Sequence, residues 1–70
     1  MKVGDLVIYA KSFYEHHGYS AEEVFETCGF GIIKEINHRP SEPECLYVIW
    51  SRGHDCWEYP EELEVVSENR

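Results

Sequence analysis

Read for the alternation of apolar and polar positions, the chain breaks into short runs that are too brief for helices and are punctuated by Gly and Pro. Gly4 and Asp5 form a turn, and Leu6, Val7, Ile8 and Tyr9 follow as a β-branched and aromatic run. A first strand is therefore predicted over residues 6–10. A second is predicted over residues 31–37, where Gly29 and Gly31 around Phe30 permit a kink or bulge at the entry to the sheet. "RPSEPE" is a loop with two prolines, "CLYVIW" a third strand over residues 45–50, "SRGH" a tight turn, and "DCWEY" a fourth strand over residues 55–59. Pro60 lacks the N–H that pairing needs. It opens a single 3₁₀ turn before a short last strand over residues 64–66, and the tail at residues 67–70 is expected to fray.

The stretch between Ala10 and Cys28 is the least strand-like part. Ser20 followed by Glu23 makes a capping box, and Val24 and Phe25 follow at the spacing of one helical stripe. The spacing predicts one short helix over residues 21–27, stopped by Gly29. Together these elements describe one all-β domain over residues 1–70: a small five-stranded antiparallel barrel whose long first loop carries one short helix.

"VGDLV", "GFGIIKEI", "YVIWS" followed by "RG" and "W", and "PEELEVV" carry a resemblance. The chain resembles the small SH3-like or Tudor-like proteins of tailed bacteriophages over residues 3–7 and 29–66. It departs from the compact members in its long segment between Ala10 and Cys28. The resemblance implies a ligand groove or aromatic cage built by the first loop and the hairpin turns. Matched by position, the candidates are Tyr9, Tyr14, Trp50, Trp57 and Tyr59, with Asp55 or Glu58 as an acid beside the rings. Aromatic faces flanked by a carboxylate suit a cation such as methylated lysine or arginine. The competing role for these rings is the core, since a chain this short buries only about 60% of the surface its unfolded form exposes and needs large side chains inside.

The hairpin decides between the two roles. With Arg52 and Gly53 as a two-residue turn, Trp50 faces Asp55, Ile49 faces Cys56 and Val48 faces Trp57. Val48, Trp50, Asp55 and Trp57 then share one face, while Tyr47, Ile49, Cys56 and Glu58 share the other. Either face can be the interior, and a shift of one residue exchanges the partners. On this register Trp57, in a central hairpin, is expected to be more buried than Tyr14 in the long loop. That long loop also gathers Phe13, Tyr14, Tyr19 and Phe25 with His16 and His17, so partner specificity is expected there, with Tyr19 joining the binding candidates.

The net charge of −8, from fourteen acids against six bases, sets the partner class. It argues against direct contact with nucleic acid, where Lys and Arg displace counterions from phosphates, and against an anionic membrane surface. It suits a solvated, solubilising acidic surface before all else, and otherwise a basic protein partner or mimicry of DNA towards a DNA-binding protein. Cys28, Cys45 and Cys56 are an odd set without CxxC spacing, which favours a reducing compartment and a role as small buried hydrophobes. No run approaches the ~18 apolar residues of a membrane span, and the opening residues carry no apolar signal segment. The cytoplasm of a host cell, or a virion, is the expected location.

Chemistry is sparse. His54, Asp55 and Cys56 invite zinc, but no second pair stands at ligand spacing. No Cys-His nucleophile signature is present, and "CGFG" precedes a strand where a phosphate loop would need a helix. Glu22-Glu23 and Glu61-Glu62 read as solvated surface. The expectation is a non-enzymatic protein-interaction module without cofactor, binding a host or virion protein; the alternative is an acidic DNA-mimic inhibitor of a nucleic-acid-binding protein.

Overall fold

A computed structural model describes residues 1–38 and 40–68. Along the chain run β1 (Leu6–Tyr9), α1 (Lys11–His17), α2 (Ala21–Cys28), β2 (Gly31–Asn37), β3 (Cys45–Trp50) and β4 (Asp55–Glu58). A 3₁₀ turn (Pro60–Glu62) and β5 (Leu63–Ser67) complete it. Five antiparallel strands form one sheet in the order β4-β3-β2-β1-β5, as the five apolar runs predict.

The expected closure into a barrel does not occur: β4 and β5 are the two edges, and no ladder joins them. β4 is only four residues long, and Pro60 ends its pairing capacity. The 3₁₀ turn that carries the chain from one edge to the other is tied instead to the helical segment. Ala10 N–H donates to the Glu62 carbonyl at 2.8 Å, and Ser12 Oγ donates to the Glu61 carbonyl at 3.1 Å.

Two helices occupy the segment expected to hold one. α2 is the one predicted, and both halves of its capping box are formed between Ser20 and Glu23. α1 replaces what reads as loop. Its start has no side-chain cap, since Ala10 stands at the N-cap. Its end is a Schellman arrangement, with Gly18 at φ 77°, Gly18 N–H on Glu15 O at 3.3 Å and Tyr19 N–H on Tyr14 O at 2.8 Å. Seven residues cannot sustain a helix alone. Packing holds this one: Phe13 stacks on Tyr9 with ring centroids 4.0 Å apart, and Phe13 and Tyr14 both pack on the core.

The core is the inner face of the sheet, Val7, Tyr9, Ile33, Leu46, Val48, Trp50 and Leu63, closed by Val24 of α2. A bulge between Ile33 and Glu35 in the β2–β3 ladder lets Ile36, beyond it, return to the inner side and pack against the core. Gly31 faces Val48 Cγ1 and the Trp50 ring so closely that a Cβ there would clash with both. The place of the missing side chain is taken by the Val48 methyl, with the edge of the indole beside it.

The β3–β4 register corrects the predicted hairpin by one residue. Ile49 faces Asp55, Val48 faces Cys56, Tyr47 faces Trp57 and Leu46 faces Glu58. The cause is a three-residue loop, Ser51, Arg52 and Gly53, in place of two turn residues. Trp50 N–H donates to His54 O at 2.8 Å, Gly53 N–H donates to Trp50 O at 3.1 Å, and Gly53 sits at φ 102°. Trp50 is therefore core at 1% exposure, and Trp57 lies outside at 48%. The expectation that Trp57 is more buried than Tyr14 is reversed, because Tyr14 packs on the core from α1. The expected frayed tail is also modified, since Ser67 belongs to β5; Asn69 and Arg70 lie outside the described residues, as does Arg39 of the proline loop.

Two substitutions separate these roles. Trp50→Ala is expected to cost about 3–5 kcal/mol and Trp57→Ala less than about 1 kcal/mol by urea denaturation. Equal losses at the two tryptophans would refute the register. Gly31→Ala is expected to cost about 1–3 kcal/mol from overpacking, chiefly against Val48 and then against the indole.

Candidate functional site

Three features of the fold could hold a partner or a chemistry: a buried polar cluster, a cleft under the helices, and the outer face of the sheet beside β4. The polar cluster comes first in the chain's logic, because the register turns Cys56 and Glu58 inwards. Glu58 is 7% exposed, and among the described residues no base pairs with it. Its Oε1 accepts from the Tyr9 hydroxyl at 2.6 Å and from Cys56 Sγ at 2.6 Å. Donors that converge on a buried carboxylate offset part of its desolvation. Trp50 Nε1, equally buried, has no hydrogen-bond partner.

These surroundings make the thiols less acidic than usual. Burial pushes the Cys56 thiol up to about 11; the hydrogen bond and charge of Glu58 add to this, and the nearby Tyr9 hydroxyl and Trp50 indole oppose it. Burial, then the charge of Glu58, raises Cys28 too, and burial, then the hydrogen bond and charge of Glu58 with a smaller part from Cys56, hold the Tyr9 hydroxyl well above its ordinary value. A thiol kept protonated at neutral pH is a poor nucleophile. Tyr9, Cys56 and Glu58 thus satisfy one another inside the core while Trp50 Nε1 does not, and among the described residues no group of three or more His, Cys, Asp or Glu is placed to hold a metal ion.

The rings form a column. Trp50 stacks on Tyr9 at 4.2 Å, Tyr9 on Phe13 at 4.0 Å, and Phe13 lies 4.6 Å from His17, with Tyr19 beyond at 6.4 Å. Between this column and α2 opens a cleft of about 240 Å³, lined by Tyr9, Phe13 and Tyr19 on one side and by Glu23, Val24, Thr27 and Cys28 on the other. Glu23 and Thr27 are already engaged in the helix, through the capping box and through the Thr27 hydroxyl on the Glu23 carbonyl. The cleft has room for a small apolar group.

The candidate binding residues therefore divide by location. Tyr9 and Trp50 are stacked interior rings, so their faces are covered. Tyr14 is half-buried in a second cleft with Ile8, Val24 and Phe25. Tyr19 is exposed at the end of the column, and Tyr59 is exposed just after β4. Trp57 stands on the outer face, its ring 5.1 Å from Tyr47. The five rings matched by resemblance do not enclose one box. Of the two acids, Asp55 is exposed on Trp57's face and Glu58 is buried on the other.

What the structure brings together is the outer surface of β2, β3 and β4. Ile32 and Ile49 are cross-strand neighbours, Tyr47 pairs with Trp57, and Asp55 pairs with Ile49. Ile32, Ile49 and Trp57 are each between 43% and 48% exposed. Sequence reasoning missed Tyr47, Ile49 and Ile32 as surface because "CLYVIW" is apolar at every position and carries no parity signal. The available signal was Asp55, whose charge marks the wet side for Trp57 two residues on.

Among the described residues no helix is long and apolar enough to cross a membrane. The chain matches no protein-family model, no curated protein and no solved structure.

Two measurements check the polar cluster. Tyr9→Phe removes one of Glu58's donors and is expected to cost about 1–3 kcal/mol in urea denaturation, without loss of the fold. For Cys56 the folded state favours the protonated thiol, so this stabilisation is intact below pH 9 and declines as the pH rises from 9 through about 11, where the unfolded chain ionises first. Tyr9, shifted the same way, adds to the decline above pH 10. Thermal melts of Cys56→Ala between pH 8 and 10 should be flatter than those of the parent; parallel slopes would remove Cys56 as the cause.

Proposed function

We propose that this chain is a non-enzymatic protein-interaction module on an SH3-like framework, and that it binds a basic protein partner on the outer face of β2, β3 and β4. The observation that carries this reading is the patch of exposed Trp57, Ile49 and Ile32 around the half-buried Tyr47, on a sheet whose other face supplies the core. Exposed Trp and Tyr that share a face with aliphatic side chains have the composition of a binding hot spot. The net charge of −8 supplies the sign of the partner.

The SH3-like assignment is supported by the strand order, in which β1 lies between β2 and β5, and by the single 3₁₀ turn before β5. The resemblance to tailed-phage proteins extends the proposal to a minor virion component or a factor that engages a host protein. Trp57 and Tyr59 remain contact candidates on this reading, and Tyr19 is exposed beside the helices. Tyr9, Tyr14 and Trp50 act by supporting the framework.

The test is affinity capture from infected and uninfected host lysates with the parent and with an Ile49→Ser, Trp57→Ser variant shown by circular dichroism to remain folded. A partner retained by the parent at 0.5 M NaCl and lost by the variant is the expected result. Capture that is unaffected by the variant and vanishes steeply with salt would replace this reading with that of an acidic DNA mimic.

A further inference from the structure

β4 has one free edge, and its chemistry is specific. The hairpin closes on the Trp50–His54 pair, where Trp50 N–H donates to His54 O. Counting on in twos, Val48–Cys56 and Leu46–Glu58 are the hydrogen-bonded pairs of the ladder. The N–H and C=O groups of Asp55 and Trp57 therefore point away from β3, towards the open side of the sheet. No strand pairs with them. Their side chains are exposed on the outer face with the patch described above.

Proteins usually blunt such an edge with Lys, Pro, a bulge or an inward charge. β4 has the inward charge, Glu58, but no Lys or Pro and no bulge in its ladder with β3. The opposite edge, β5, has Glu64 and Val66 on its exposed side and no aromatic ring. The edge that invites pairing is also the edge that carries Trp57.

We propose, resting on the interaction-module reading, that β4 accepts an extended segment of the partner as a sixth strand, and that the segment reads basic, apolar, basic at successive positions. An added strand bonds to Asp55 and Trp57, so the partner residues directly opposite them project onto the same outer face. One meets the Asp55 carboxylate. The other lies over the exposed indole of Trp57, where a guanidinium gains a cation–π contact. The residue between them turns to the inner face beside the half-buried Cys56, a setting for an apolar side chain. A second copy of this chain fits poorly, since pairing two β4 edges would bring the Asp55 and Glu58 carboxylates of two chains, each at −8, into one small area.

The probe is a synthetic fluorescein-labelled peptide, Gly-Arg-Val-Arg-Val-Arg-Gly-amide, titrated by anisotropy in 100 mM NaCl. Two analogues carry backbone N-methyl groups, one on the arginines, whose amides face β4 in this register, and one on the valines, whose amides face solvent. The parent peptide is expected to bind, N-methyl-arginine to weaken binding at least tenfold, and N-methyl-valine to change it by less than about twofold in line with the loss of strand hydrogen bonds alone. Asp55→Pro, which removes one outward N–H and keeps the β3 ladder, should also abolish binding, and Trp57→Ala should weaken it severalfold. Equal affinity for the two analogues, a preference for the N-methyl-arginine peptide, or no binding of the parent peptide would overturn strand addition. Sedimentation showing a concentration-dependent dimer lost in Asp55→Pro would overturn it in favour of self-pairing. If the peptide fails while the Ile49→Ser, Trp57→Ser variant still loses its captured partner, strand addition falls and the interaction-module reading stands.

Discussion

Val48 and Trp50 close on β2 where Gly31 has no side chain, and the inner face of the molecule is arranged around the Trp50 ring. Tyr9 stacks on that ring, and Phe13 on Tyr9. A column of rings thus links the third strand to the first and the first to α1. In a chain of 70 residues, where each large side chain is a sizeable part of the core, this column does what a second layer of secondary structure does in larger domains. α1 exists because Phe13 has somewhere to stack, and the 3₁₀ turn is held in place because α1 is there to bond it.

The same arrangement fixes what is left outside. With Trp50 facing inwards, Val48 and Leu46 must follow, and the three-residue loop then brings Cys56 and Glu58 to the inner face of β4. Tyr9, already positioned by stacking, has its hydroxyl within reach of Glu58. The carboxylate is tolerated inside because these donors stand ready for it, and Trp57 is displaced to the surface as a consequence of the same parity. Core and candidate site are two sides of one register choice.

That choice is where sequence reasoning parted from structure. β2 and β3 were legible residue for residue because Gly and Pro breaks bound runs of β-branched side chains, and α2 was legible from its capping box. α1 was not, since Ala10 offers no cap and Phe13, Tyr14, His16 and His17 have modest helix propensity; Phe13 stacks on Tyr9 of the preceding strand, which no helical pattern signals, and Ser12 bonds the distant Glu61. The register was lost on one residue. Ser51 could belong to strand or loop, and with apolar residues on both faces of β3 nothing local penalised the slip. An acid at position 58 in an otherwise apolar setting gave no hint of being inside, because its donors come from β1 and from its own strand.

The sheet order also places strands of very different sequence separation side by side. β3 and β4 are joined by four residues, whereas β1 meets β5 across nearly the whole length of the chain. Bringing β1 to β5 costs more loop-closure entropy than forming the hairpin, and nothing repays that cost until both strands are in place. The β2-β3-β4 meander is consequently the cheapest part of the molecule to assemble. It holds Trp50, and the free side of β2 is the place where β1, with its stacked Tyr9, joins the sheet and in turn carries β5.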